Sequence, residues 1–330
     1  MKRISVYVPQ SAAIEAISPP YRLFKTANEL LMASGREPEF QVEFVGMYPQ
    51  VKAQDGEYTV KIDRLISEVE HTDLILIPAL YGDMNEAIKL NAAAIPWINK
   101  MYAQGSELAS LCIGAFLLAS TGVLKGKKCS THWAYYQEFR EKFSDVEIVD
   151  GAIITDADGV YSSGGANSIW NLLLYILEKY TSRDIAILAA KYFAIDIGRE
   201  NQGVFSIFKG QKDHNDNEIK SAQNYIESHF TERITIDDLC SNANVSRRSF
   251  ERRFKQATNN TVVEYIQRVR IEAAKRSFEA SRNNVSEVMY HVGYTDTKAF
   301  RDVFKKITGL TPVEYRSKYN KVSLKSCYMN

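Results

Sequence analysis

Two stretches of this chain, fifty residues apart, follow one plan. Phe254-Lys255-Gln256-Ala257-Thr258-Asn259-Asn260-Thr261-Val262-Val263-Glu264-Tyr265 returns as Phe304-Lys305-Lys306-Ile307-Thr308-Gly309-Leu310-Thr311-Pro312-Val313-Glu314-Tyr315. Upstream, Phe250 matches Phe300, and Ile236–Leu239 resembles Val285–Val288 one residue out of step. A solenoid needs at least three repeats to bury a continuous core. Two copies therefore predict two compact units, each closing a core of its own.

Within each copy the apolar spacing predicts helix, tight turn, helix. Thr235 and Ser246 stand where N-caps belong in the first copy. Leu239, Val245, Phe250 and Phe254 form its predicted core, and Arg247, Arg248, Glu251, Arg252 and Lys255 face outward on its second helix. In the second copy Val288, Val292, Phe300 and Phe304 are the predicted core; Thr297, Lys298, Arg301 and Lys305 face outward. Between the copies, Val262 to Glu279 reads as one long amphipathic helix. Such a unit sets its second helix in the major groove of DNA, where arginine is well shaped for guanine. Charge agrees with an anionic partner: residues 218–330 carry 20 Lys and Arg against 13 Asp and Glu, whereas the whole chain has a net charge of only +1.

Residues 218–319 resemble the AraC/XylS family of DNA-binding domains. VGYTDTKAFRDVFKKITGLTPVEYR is similar to that family's signature along its whole length, and NVSRRSFERRFKQAT resembles its first recognition helix. The resemblance implies that Arg248, Glu251 and Arg252 face bases from the first unit, and Thr297 and Lys298 from the second. Asn259 and Val262 stand where the family has Gly and Pro, which predicts a different exit turn, and Asp302 stands where a basic residue is common.

The other half is acidic. Short apolar runs at Ile4–Val8, Val42–Met47, Leu74–Pro78, Leu108–Leu111, Val146–Val149, Ala152–Thr155 and Val160–Ser162 alternate with helical segments, the last being Asn167–Tyr180. That alternation predicts an α/β sandwich around a mostly parallel sheet, with ligands beyond the carboxyl ends of the strands. Cys112 sits at such an end, where SLCIGAFLLA turns from strand into helix. The first apolar run is too short for a signal peptide, and the longest are far short of a membrane span. The four cysteines, Cys112, Cys129, Cys240 and Cys327, lack metal-ligand spacing and read as reduced thiols.

SLCIGAFLLASTGVLKGKKCSTHW resembles the PfpI/class I glutamine-amidotransferase-like superfamily, in the version fused to AraC-type domains, the GlxA-type regulators. Glu15, Thr131-His132-Trp133 and Ser162-Ser163-Gly164-Gly165 are further matches. The resemblance implies a flavodoxin-like α/β sandwich with a nucleophile elbow at Cys112, followed by the all-α domain of paired helix-turn-helix units. The expected boundaries are 1–183 for the first domain, 184–217 for an interdomain segment and linker, 218–320 for the DNA-binding domain and 321–330 for a tail.

In proteolytic members of that superfamily a His follows the Cys; here Ile113 does. Hydrolysis is therefore not the expected activity, and Glu15, Tyr81, Cys112, Ile113, His132, Trp133 and Ser163 are candidates for holding a ligand. Free N–H groups at the start of the Ile113 helix would suit a carboxylate, and aromatic walls an amine. The expectation is a non-enzymatic cytoplasmic regulator. It would bind promoter DNA and an amino-acid-like or amine-like effector, form a homodimer through its first domain, and need neither metal nor cofactor. Two alternatives remain: a hydrolase or glyoxalase-like enzyme built on Cys112, Glu15 and His132, or a thiol redox sensor at Cys112.

Overall fold

In the computed structural model the chain divides into two compact units, Met1–Gln202 and Gly203–Asn330. The structure describes residues 1–320 except 166, 198–201, 204, 209 and 213; Cys327 and the expected tail lie outside the described residues.

The first unit opens with β1 (Lys2–Tyr7), α1 (Ile14–Ala33), β2 (Phe40–Gly46), β3 (Gln50–Ala53), β4 (Tyr58–Lys61), β5 (Arg64–Leu65) and β6 (Leu74–Ile77). There follow α2 (Met84–Leu90), α3 (Ile95–Ala103), β7 (Glu107–Ser110), α4 (Ala115–Ser120), β8 (Lys128–Cys129), α5 (Tyr136–Lys142) and β9 (Glu147–Ile148). β10 (Ile154–Ala157), β11 (Val160–Ser163), α6 (Ser168–Tyr180) and α7 (Arg183–Tyr192) complete it. The main sheet runs β10-β11-β7-β6-β1-β2-β5, and every pairing is parallel except β10 with β11.

Its central strands are apolar on both faces because helices cover both. All four residues of β6, Leu-Ile-Leu-Ile, are fully buried, each side chain stabilising the fold by about 1.5–3 kcal/mol. From β1 the chain crosses outward to β2, and from β6 it crosses the other way to β7. Right-handed crossovers then place α1 and α3 on opposite faces, and the change of direction between β1 and β6 leaves a crevice at their carboxyl ends. Ala13 N–H bonds to Ala79 O at 2.8 Å and so ties the two strand exits together there.

Residues 184–217, expected as an interdomain segment, are split between the units. Ile185, Ala189 and Ala190 of α7 are buried in the first unit's core, where α7 packs on α1 and α6. An amphipathic helix beginning Arg183-Asp184 reads as polar, but its one apolar stripe is enough to dock it.

The second unit contains α8 (Asn217–His229), α9 (Ile236–Ala243), α10 (Arg247–Thr258), α11 (Val262–Ala280), α12 (Val285–His291), α13 (Thr297–Thr308) and α14 (Pro312–Tyr319). Two separate cores form, and α11 serves both: Val262, Tyr265 and Ile266 belong to the first, Ile271, Ala274 and Phe278 to the second.

The repeat holds down to single hydrogen bonds. Thr258 Oγ1 donates to Phe254 O, and Thr308 Oγ1 donates to Phe304 O, both at 2.8 Å. Thr261 with Glu264, and Thr311 with Glu314, form the same capping box. Tyr265 donates to Glu227 at 2.6 Å, and Tyr315 to Glu279 at 2.5 Å. The different exit turn expected at Asn259 is absent. Asn259 adopts a left-handed conformation with φ 55°, as Gly309 does with φ 80°, since asparagine tolerates that region. Ser246 occupies its expected N-cap position, but its side chain makes no capping hydrogen bond; Thr235 does, to Asp238 N–H.

Candidate ligand site and nucleic-acid interface

The elbow forms where β7 ends. Cys112 has φ 55°, a strained value for a residue with a side chain. A single 3-10 turn, Cys112–Gly114, carries the chain into α4. The turn is held against the ends of two other strands. Leu111 N–H bonds to Ile77 O at 2.9 Å, Cys112 N–H to Ser163 Oγ at 3.0 Å, and Thr131 Oγ1 donates to Cys112 O at 3.1 Å. Two of the amides at the head of this helix, where an anion site was expected, already have partners. The Cys112 amide is taken by Ser163 and the Gly114 amide bonds to Leu111 O at 2.9 Å. α4 itself is only six residues long.

Burial pushes the Cys112 thiol up to about 12; the Ile113 amide opposes this and the nearby charge of Glu15 adds to it. The described hydrogen bond of His132 is made to its own turn and not to the thiol. Its Nδ1 accepts the Ala134 N–H at 3.1 Å, capping the turn Trp133–Tyr135, so in the neutral tautomer the proton sits on Nε2. Burial lowers the pKa of His132. Among the described residues no hydrogen bond joins His132 to Cys112. A thiol of this kind is a poor nucleophile. Alkylation of Cys112 by iodoacetamide is expected to run roughly a thousandfold below an ordinary exposed thiol at neutral pH. Its rate should climb through pH 10 without levelling. A plateau near pH 8 in the alkylation rate would contradict this environment.

The structure gathers Cys112, Ile113, Ser163 and the Thr131-His132-Trp133 segment at the carboxyl ends of β7 and β11, with Glu15 exposed on the first turn of α1. Tyr81 is 40% exposed, and its described bond is a backbone one, to Ser11 O at 2.5 Å. Trp133 is half-buried beside His132. Three neighbours escape the sequence reading. Tyr135 is half-buried beside His132, and burial, with Glu138 adding to it, raises its pKa. Tyr136 and Gln202 form a buried hydrogen-bonded group beside Thr131. The paired glycines Gly164-Gly165, which have no side chains to fill the space around them, are the one sequence signal for it. Among the described residues no cluster of His, Cys, Asp and Glu is placed to hold a metal, and no helix is long and apolar enough to cross a membrane. Cys112, Cys129 and Cys240 are free and buried.

In the second unit all nine outward residues named from the sequence are exposed: Arg247, Arg248, Glu251, Arg252 and Lys255 on α10, and Thr297, Lys298, Arg301 and Lys305 on α13. They differ in what holds them. Arg247 pairs with Asp237 and Glu251, at 3.3 and 3.2 Å. Arg253, on the same helix, turns to Asp216 and Glu218 and braces the fold. Among the described residues Arg248, Arg252, Lys255, Lys298, Arg301 and Lys305 have no ion-pair partner, so their charges are open to an anionic surface.

A nucleophile-elbow sandwich joined to a doubled helix-turn-helix domain is the architecture of a DNA-binding regulator with a sensor domain. The chain belongs to the DJ-1/PfpI family, whose model matches residues 2–179, and a model described as a helix-turn-helix domain matches residues 239–318. It is similar to two proteins of Pseudomonas aeruginosa, the HTH-type transcriptional regulators ArgR and GbdR, each at 24% identity over 67% of this chain. Those matches span 67% and 60% of the relatives' own lengths. The first unit's fold is shared with the crystal structure of Drosophila melanogaster DJ-1beta, with TM-score 0.50 and 16% identity over 59% of this chain and 98% of that one.

Proposed function

We propose that the chain is a sequence-specific transcription regulator. Its second unit reads double-stranded promoter DNA through α10 and α13, and its first unit binds a small amino-acid-like or amine-like metabolite and pairs with a second copy. Its place of action is the cytoplasm, with the DNA. The observation that carries this reading is the pair of equivalent helices presenting unpartnered arginines and lysines while neighbouring charges such as Arg253 are neutralised by acids. Arg248 and Arg252 are assigned to base edges; Lys255, Arg301 and Lys305 to phosphates; Arg247, Glu251, Thr297 and Lys298 to the same interface. The elbow serves as scaffold for ligand binding, because a thiol held protonated beside a capped imidazole supports neither hydrolysis nor redox sensing. For the metabolite to regulate, it must prefer one arrangement of the chain over another.

The test is a selected operator and a gel-shift series. Arg248→Ala and Arg252→Ala are each expected to weaken operator binding by about 1–3 kcal/mol and to relax base preference. Lys255→Ala should weaken all sequences alike and lower the salt slope by about one. Arginine variants that bind the operator as tightly as wild type would remove the assignment.

A further inference from the structure

Gln202, the last residue of the first unit, is 1% exposed, and its carboxamide is seated in a polar receptor. Its Oε1 accepts the Gly165 N–H at 2.8 Å. Its Nε2 donates toward Tyr136 OH at 2.8 Å, Ala152 O at 2.9 Å and Thr131 O at 3.0 Å, with Ser130 Oγ at 3.5 Å. The backbone makes room for it. A Cβ on Gly164 would lie 2.3 Å from Nε2, and one on Gly165 would lie 3.2 Å from Oε1. Thr131 also bonds to the Cys112 carbonyl, so the receptor adjoins the elbow.

We propose that this is a binding site for a primary carboxamide, filled here by the chain's own Gln202 and open to a metabolite carrying the same group. The receptor favours an amide over an amine. An ammonium would use the surplus acceptor and gain one further hydrogen bond. It would also be buried as a charge among neutral oxygens with no counter-ion, and that desolvation outweighs one hydrogen bond. Asp150, whose charge reaches Tyr136, is already paired with Arg140. A carboxylate fares worse, because it would face the Ala152 and Thr131 carbonyls. A neutral amide matches both the donor and the acceptor sides.

The proposal rests on the first unit being the metabolite-binding part, but its test uses no DNA and can fail independently. In full-length Gln202→Ala, the Gly165 amide should exchange on the order of tenfold faster than in wild type. Acetamide, the fragment removed, should restore its protection in the millimolar range, while acetate and ethylammonium should not. Gln202→Glu, which keeps the size and loses the donors, should behave like Gln202→Ala and guards against a folding failure of the smaller side chain. In wild type, acetamide should leave Gly165 protected and speed exchange at the Gln202 amide, which bonds to Gly151 O. Unchanged Gly165 exchange in both variants, equal rescue by acetate or ethylammonium, or a wild-type Gln202 amide indifferent to acetamide would each overturn the proposal.

Discussion

Gly114→Ala is expected to unfold the first unit. A Cβ at this position would lie 2.4 Å from Ile77 O and 2.5 Å from Pro78 O. Both are backbone atoms at the exit of β6, a strand whose four residues are fully buried, so neither can withdraw without disturbing the sheet. Overpacking against backbone in a close-packed core places this change among the exceptional ones, with a loss above about 4 kcal/mol. Hydrogen exchange on the full chain would show amides of β1, β6 and β7 losing protection while those of α10 keep theirs. Gly122→Ala is the control: Gly122 has φ 82° and nothing within 4 Å of a Cβ, so only backbone strain of about 1–2 kcal/mol is added. A Gly114→Ala protein as stable as the control would mean that the elbow is not wedged against β6.

Lys275→Ala is the second large effect. Lys275 is 4% exposed, and its ammonium donates to Glu272 at 3.0 Å and to the carbonyl of Ser206. Glu272 also accepts the Phe208 N–H at 3.3 Å, so the pair fastens residues 206–208 to the middle of α11. Removing the lysine leaves the buried Glu272 carboxylate with the longer Arg276 pair at 3.8 Å as its remaining cation, and should cost up to about 3 kcal/mol. The double change Glu272→Gln with Lys275→Met takes out both charges and should recover most of that loss, measured by urea unfolding. If the double variant is no more stable than the single one, packing rather than charge compensation governs this position.

Much of this fold can be read in the chain because the relevant signals are local. Leu74–Ile77 is apolar on both faces and could only be a central strand; Phe254 and Phe304 mark cores that the repeat had already doubled. β3 and β4 were not legible. β3 alternates between exposed and buried over only four residues and β4 buries none of its own, and their turn, Gln54–Gly56, carries two non-glycine residues in left-handed conformations. Asn259 illustrates the opposite case, where a departure in residue type leaves the turn unchanged. The elbow at Cys112 was visible as a strand running straight into a helix, yet its chemistry was not. Whether a thiol ionises depends on burial and on which hydrogen bond His132 makes, and neither is written in spacing. Gln202 was hidden for a simpler reason: one glutamine in a polar stretch gains its role only when the chain returns to Gly165.

α11 has a consequence for how such a regulator can change over evolutionary time. One end of this 19-residue helix is locked into the first core and the other into the second. Adding a single residue between Ile266 and Ile271 would turn α13 by about 100° relative to α10 and advance it by about 1.5 Å. With α10 and α13 on DNA as proposed, point mutations alter which bases are read, but the interval between the two helices is inherited as the length of α11. A new operator spacing is reachable only by jumps close to whole helical turns.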